Sequence, residues 1–113
     1  MRSTVSLNRN NDFVRMYNNG KFIVKPAFTA YVRKNRFGIN RLGITTSKKQ
    51  LGNAVQRNRA RRIIREAYRL LEGELKTGYD IVFVARLRSL AMKSTEIQVS
   101  MRKALSELGI INP

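Results

Sequence analysis

The chain has no cysteine and no histidine, and only seven of its 113 residues are acidic. Each shortage closes off a kind of chemistry. Without cysteine there are no disulfides and no thiolate metal sites. Without histidine the commonest general base and the imidazole zinc ligands are missing as well. The acids, Asp12, Glu66, Glu72, Glu74, Asp80, Glu96 and Glu107, are scattered. Glu72 and Glu74 lie closest, but a spacing of two on a helix points them to different sides, which makes no two-metal clamp. No catalytic residue and no protein-held metal are expected, so a self-sufficient nuclease is disfavoured. Long apolar runs are also missing. Nothing approaches the roughly 18 residues of a spanning helix, and no membrane partner is expected. The opening residues Met1-Arg2-Ser3-Thr4-Val5-Ser6 contain no apolar signal core, so a cytoplasmic location is the expectation.

What the chain has is positive charge. Twenty-three Lys and Arg against the seven acids give a net charge of +16. A compact body with that charge repels itself and is expected to work beside a polyanion. The length suits one domain spanning residues 1–113, with no repeat or low-complexity segment to divide it.

Local patterns predict the order helix, strands, helix, strand, helix. Asn10 or Asn11 can cap a short helix to about Asn18, with Gly20 placed to end it, and Phe13 and Tyr17 then share one face. Extended structure from Phe22 should break at Pro26, which cannot donate a ladder hydrogen bond. After it, Phe28, Ala30 and Val32 alternate with Thr29, Tyr31 and Arg33, so Tyr31 lies on the face away from the core. Residues 35–40 read as a loop and 42–46 as the next strand. The basic loop Ser47 to Gly52 leads into the strongest helix, roughly Asn53 to Leu75. Gly78 closes the connection, and Ile81-Val82-Phe83-Val84-Ala85, apolar on both faces, reads as a central strand. Thr95 and Gln98 form a capping-box pattern for a last helix with the stripe Ile97, Met101, Ala104, Leu105 and Leu108, ending at Gly109. The predicted fold is an α/β two-layer sandwich of α+β type, one small mixed sheet with helices in the order α-β-β-β-α-β-α.

On the long helix, a step of about 100° per residue gathers Ala60, Ile63, Ile64, Ala67, Leu70 and Leu71 on one arc, the predicted core side. Arg57, Asn58, Arg61, Arg62, Arg65 and Arg69 fall opposite, with Arg59 at the boundary. An ordinary charged face interleaves opposite charges, whereas the cations Lys48, Lys49, Arg57, Arg59, Arg61, Arg62 and Arg65 are accompanied only by Glu66. Arg57, Arg61 and Arg65 repeat like charge at i,i+4, which destabilises a free helix. Phosphate would relieve that repulsion, and the planar fork of arginine suits it. Glu66 reads as structural, paired with Arg62 or Arg69.

The stretch Ser47 to Arg69, SKKQLGNAVQRNRARRIIREAYR, resembles the signature of the bacterial ribonuclease P protein family, with its Ser-Lys-Lys loop followed by Arg-Asn-Arg, a basic pair and Arg-Glu on one helix. Asp12-Phe13, Tyr17, Gly20, Phe28, Tyr31 and Ala85-Arg86 sit in the family's order, so the resemblance covers about residues 7 to 108. Arg61-Arg62 stands where many members have Lys-Arg, and the loop between Lys49 and Ala54 varies in length. The resemblance implies an accessory subunit of an endoribonuclease whose RNA subunit holds the catalytic magnesium and cleaves the 5′ leader from precursor tRNA. Its implied partners are that catalytic RNA and precursor tRNA, with no protein partner required. Carried over, the RNA-docking surface is Lys48, Lys49, Arg57, Asn58, Arg59, Arg61, Arg62 and Arg65, and the leader cleft is Phe13, Tyr17 and Tyr31. The resemblance also implies a left-handed crossover from the strand near Ile44 through the arginine helix to the strand near Phe83. Sequence physics alone favours the right-handed form.

Two other classes fit the charge. A structural ribosomal or other RNA-binding protein would share the basic helix but would not improve precursor cleavage by the catalytic RNA. A DNA-binding protein could lay the arginine helix in a major groove, yet the face offers mostly phosphate-type contacts and one amide, Asn58, which is thin for base readout. For Phe13 and Tyr17 the plain alternative is that they pack the first helix onto the sheet.

Overall fold

A computed structural model of the chain describes residues 4–47, 49 and 51–112. The elements run β1 (Thr4–Ser6), α1 (Asn10–Asn19), β2 (Lys21–Val24), β3 (Phe28–Lys34), β4 (Asn40–Thr46), α2 (Ala54–Leu71), β5 (Tyr79–Ala85) and α3 (Ser94–Glu107), with 3₁₀ turns at Glu72–Glu74 and Leu87–Ala91. The five strands form one mixed sheet in the order β1-β4-β5-β3-β2. Around Pro26 the chain folds back as the expected break requires, and β2 pairs antiparallel with β3. The apolar run of β5 lies between β3 and β4, antiparallel to the first and parallel to the second. α2 therefore connects two parallel neighbours, β4 and β5.

The alternation in the strands sorts the side chains between two cores. Phe28, Ala30 and Val32 of β3 join Ile81, Phe83 and Ala85 of β5 against α2 and α3. Tyr31 and Val82 face the other way, where Leu7, Phe13 and Met16 of the α1 segment cover them. α1 thus sits on the sheet face opposite α2 and α3, and it leaves part of that face bare. Asn40, buried at the start of β4, donates from its side-chain amide to Lys76 O and accepts from Tyr79 N–H, both at 2.9 Å. A buried polar group satisfied on both sides in this way ties the first residues of β4 and β5 together without leaving an orphan.

The mixed helix-and-sheet fold matches the expectation, with one addition and several shifted boundaries. β1 was not foreseen. Three residues are too few to show a period, and the strand exists because it pairs parallel with β4. α1 takes Arg9, not an asparagine, at its N-cap, and Gly20 ends it in extended conformation (φ −78°, ψ 151°), so a left-handed turn is not its reason. Space is the reason: a Cβ on Gly20 would stand 2.7 Å from Met16 O. α2 stops at Leu71, short of Leu75, after Asn53 caps its start by accepting from Gln56 N–H at 2.8 Å. α3 begins two residues earlier than the Thr95–Gln98 pattern implies; the carboxylate of Glu96 accepts from Lys93 N–H at 3.1 Å and performs the capping. Gly78 (φ +90°) and Gly109 (φ +85°) adopt the left-handed backbone that their turn positions require.

On α2 the buried residues are Ala60, Ile64, Ala67, Tyr68 and Leu71. Leu70, expected inside, is 43 % exposed, and Tyr68 takes its place. The arc is rotated because β1 supplies a partner that sequence periodicity does not show: the Tyr68 hydroxyl lies 2.8 Å from Thr4 Oγ1. Burial pushes the phenol above its usual pKa, and the Thr4 hydrogen bond opposes that rise.

Candidate nucleic-acid interface

Two surfaces collect the residues singled out from the sequence. The first runs along the solvent side of α2. Arg59, Arg62 and Arg65 are exposed there, Asn58 is exposed, and Arg57 and Arg61 are half-buried. Eight residues of helix separate Arg57 from Arg65, about 12 Å of rise. The half-buried pair is held in place. Arg57 donates from Nη1 to Leu51 O at 3.1 Å, and Arg61 donates to Asn58 Oδ1 at 3.3 Å and to Thr46 Oγ1 at 3.4 Å. Leu51 is itself fully buried and anchors the basic loop, in which Lys49 is exposed. Lys48 lies outside the described residues.

Arg69 leaves the ridge. It forms a two-pronged bond to Glu66, at 3.0 and 2.7 Å, which is one of the two pairings expected for Glu66. That bond holds the Glu66 carboxyl below its usual pKa. Among the described residues Arg59, Arg62 and Arg65 have no such ion pair, so their charge remains available to a polyanion.

The second surface is the part of the sheet that α1 leaves bare. Thr45, Val84, Thr29 and Val24 form a row across β4, β5, β3 and β2. Tyr17 and Tyr31 border this row, their rings meeting edge to face with centroids 5.1 Å apart. Tyr17 is 42 % exposed, and its hydroxyl lies 3.3 Å from Thr45 Oγ1. Phe13 belongs with them less than its shared helix face suggests. Its ring packs into the core formed by Leu7, Met16 and Val82, and a Cβ on Gly43 would come within 2.6 Å of its Cε1.

One aromatic was missed. Phe22 pairs across the hairpin with Tyr31, rings 5.6 Å apart, and is 60 % exposed. The signal was the hairpin itself: a turn at Pro26 makes β2 and β3 neighbours, but only the register places Phe22 opposite Tyr31. An apolar ring open to solvent beside two tyrosines is a stacking platform for unpaired bases.

The acids do not converge on a reaction site. Asp12 and Asp80 both face Arg41, which donates to the Asp80 carboxylate at 2.7 and 2.6 Å and lies 3.6 Å from Asp12. Glu74 is bound by Arg102 and Glu107 lies 3.6 Å from Lys25. Among the described residues no three potential ligands gather as a metal would need.

The chain matches the Ribonuclease P family over residues 1–109. It is similar to the ribonuclease P protein component of Thermoanaerobacter sp. (strain X514), 39% identical over 104 residues, which are 92% of this chain and 89% of that protein. It is also similar to that of Alkaliphilus metalliredigens, 36% identical over 112 residues, 99% of this chain and all of the other. Among solved structures, the RNase P protein of Staphylococcus aureus superposes with a TM-score of 0.78 at 35% identity, covering 95% of this chain and 97% of that one. The protein from Thermotoga maritima gives 0.69 at 31%, covering 91% and 93%. By profile, by sequence and by fold, this chain belongs to the ribonuclease P protein family, the accessory protein subunit of a tRNA-processing endoribonuclease.

Proposed function

We propose that this subunit holds two RNAs at once: the catalytic RNA on the α2 ridge, through Lys48, Lys49, Arg57, Asn58, Arg59, Arg61, Arg62 and Arg65, and the 5′ leader of precursor tRNA in the cleft beside Tyr17 and Tyr31, with Phe13 at its inner end. The observation that carries this reading is the pairing of an arginine face, whose one acid, Glu66, is taken up by Arg69, with an exposed aromatic groove on the other face of the same sheet. Guanidinium groups bind phosphate without reading sequence. Aromatic rings stack on any base, which suits a subunit that must accept many leaders.

Magnesium belongs to the RNA subunit in this reading. The donor set supports that division, since Asp12 and Asp80 are engaged by Arg41 and histidine and cysteine are absent. The protein contributes binding and orientation, and the reaction proceeds wherever the catalytic RNA works. Precursor tRNA incubated with magnesium and purified protein alone should stay intact, and adding protein to the catalytic RNA at low magnesium should raise cleavage at the mature 5′ end. Cleavage by the protein alone would refute the division of labour. A ribosomal-type RNA binder would leave the RNA-catalysed rate unchanged.

A further inference from the structure

α1 has two flanks. Tyr17 lies on the one that borders the aromatic cleft, and on the other a depression of about 340 Å³ opens between α1, the end of β3 and the loop into β4. Five cations and two carboxylates line it: Arg15, Arg33, Lys34, Arg36 and Arg41 against Asp12 and Asp80. The carboxylates are spent on one cation. Asp80 grips Arg41 by two hydrogen bonds, Asp12 stands 3.6 Å from it, and the guanidinium carbon lies 4.6 Å from the centre of the Phe37 ring.

The floor of this depression is built before any ligand arrives. Asn35 donates to Asp80 Oδ1 at 2.9 Å and to Ile39 O at 3.0 Å while its own carbonyl oxygen accepts from Phe37 N–H at 2.9 Å, so every side-chain group of Asn35 holds the loop. On the rim, Arg15, Arg33, Lys34 and Arg36 are exposed and have no side-chain partner among the described residues. Phe37 is 62 % exposed. Free cations crowded round a rigid floor, with an aromatic ring open beside them, are the combination that binds single-stranded nucleic acid: phosphates on the cations, a base on the ring.

We propose that this flank of α1 is a second pocket for single-stranded RNA, taking phosphodiester oxygens on Arg15, Arg33, Lys34 and Arg36 and one unpaired base on Phe37. It is separate from both surfaces described above. The pocket sits by Arg41, at the start of β4, whereas Arg61 meets Thr46 at its end, about 17 Å away along the strand. α1 stands between it and Tyr17. An RNA segment on the arginine ridge or in the cleft therefore leaves it open for a further segment, of the catalytic RNA or of the precursor. The proposal rests on the family role only in supposing that these RNAs are the source.

The test uses the full chain and a variant carrying Arg33→Gln, Lys34→Gln and Arg36→Gln. All three positions are exposed, so the fold should be kept. Titrating a pentauridylate probe and following backbone amides by NMR should give saturable shifts at Arg33, Phe37 and Gly38 that the variant loses, while shifts along α2 remain. In the assembled holoenzyme the variant should lose affinity for one RNA, with the slope of log K on log salt flattening by about 0.7 for each phosphate contact removed. A loss confined to the catalytic RNA makes that the occupant, and a loss confined to precursor tRNA makes it the substrate. Phe37→Leu should lower affinity for the same RNA, roughly five-fold or more if a base stacks there. Unchanged affinity for both RNAs in the charge variant, or pentauridylate shifts at Phe37 and Gly38 that persist in it, would overturn the proposal.

Discussion

Thr45 and Thr46, consecutive on β4, reach opposite faces of the sheet: the hydroxyl of Thr45 lies 3.3 Å from the Tyr17 hydroxyl, and that of Thr46 accepts from Arg61 Nη2 at 3.4 Å. Adjacent strand residues always point to opposite faces. Here that rule fixes the aromatic cleft and the arginine ridge relative to one another through a single rigid strand. A leader and a catalytic RNA bound on the two sides would be held in a set geometry, with no hinge between them.

Tyr17 and Phe13 should separate in a mutational test. Tyr17→Ala and Tyr31→Ala should bind the catalytic RNA and lose the preference for precursor over mature tRNA, by about 1–3 kcal/mol for each stacked base. Tyr17→Ala should lower Tm less than Phe13→Ala does, since Tyr17 is 42 % exposed and belongs to neither buried core. Phe13→Ala should lower stability by up to about 3 kcal/mol, because it empties part of a packed core. Thermal melts beside competition between precursor and mature tRNA check both. A collapse in Tm for Tyr17→Ala with the preference intact would place the leader elsewhere.

Gly43 should tolerate no side chain while Phe13 is present. A Cβ there would stand 2.6 and 2.7 Å from two atoms of the Phe13 ring. Gly43→Ala is expected to cost about 1–3 kcal/mol through overpacking. The shorter side chain of Phe13→Leu should recover part of that cost in the double variant. Denaturant unfolding of the single and double variants measures the coupling, and strictly additive losses would show that the ring is not the obstacle.

The ridge should reveal itself through salt. Replacing Arg57, Arg61 and Arg65 together with Ala removes like charges at i,i+4 and introduces the best helix former, so α2 should stay folded. Affinity for the catalytic RNA should fall and its dependence on log salt should flatten by about 0.7 per contact for single strands, more for duplex. Arg69→Ala should change the slope least, because Glu66 already neutralises Arg69. An unchanged slope in the folded triple variant would reduce the ridge to a solvated face.

Acid should weaken the junction between the 3₁₀ turn after α2 and α3. The hydrogen bonds from Arg102 hold the Glu74 carboxyl below its usual pKa. A carboxyl whose folded pKa is depressed stabilises the fold above its unfolded pKa, and that contribution is lost as pH falls through the folded value. Glu74→Gln should therefore differ from the parent at neutral pH and converge with it below about pH 4. The difference should be small, since both side chains are nearly half exposed and water screens the pair. With no histidine in the chain, stability should stay flat from about pH 6 to 8. Urea midpoints measured across that range and down into acid test both statements.

Much of this protein was written in local patterns. The repeat of Ala60, Ile64, Ala67 and Leu71 determined that α2 buries one side and turns its arginines outward, and alternation about Phe28 placed Tyr31 on the face away from the main core. The apolar run of β5 marked it as central, and the acid-poor stretch around Arg57–Arg65 marked the polyanion surface. These are properties of periods of 3.6 and 2, which a single segment carries in itself. Tertiary structure decided what depends on distant segments meeting. β1 exists through β4, and its Thr4 drew Tyr68 inward while Leu70 turned out. The hairpin register set Phe22 beside Tyr31, the space above Gly43 let the Phe13 ring pack against Leu7, Met16 and Val82, and the meeting of Arg41 with Asp80 and Asp12 left the cations around Phe37 without an acid among the described residues. Pairing register and charge neutralisation are relations between residues far apart in sequence, so no local period can encode them.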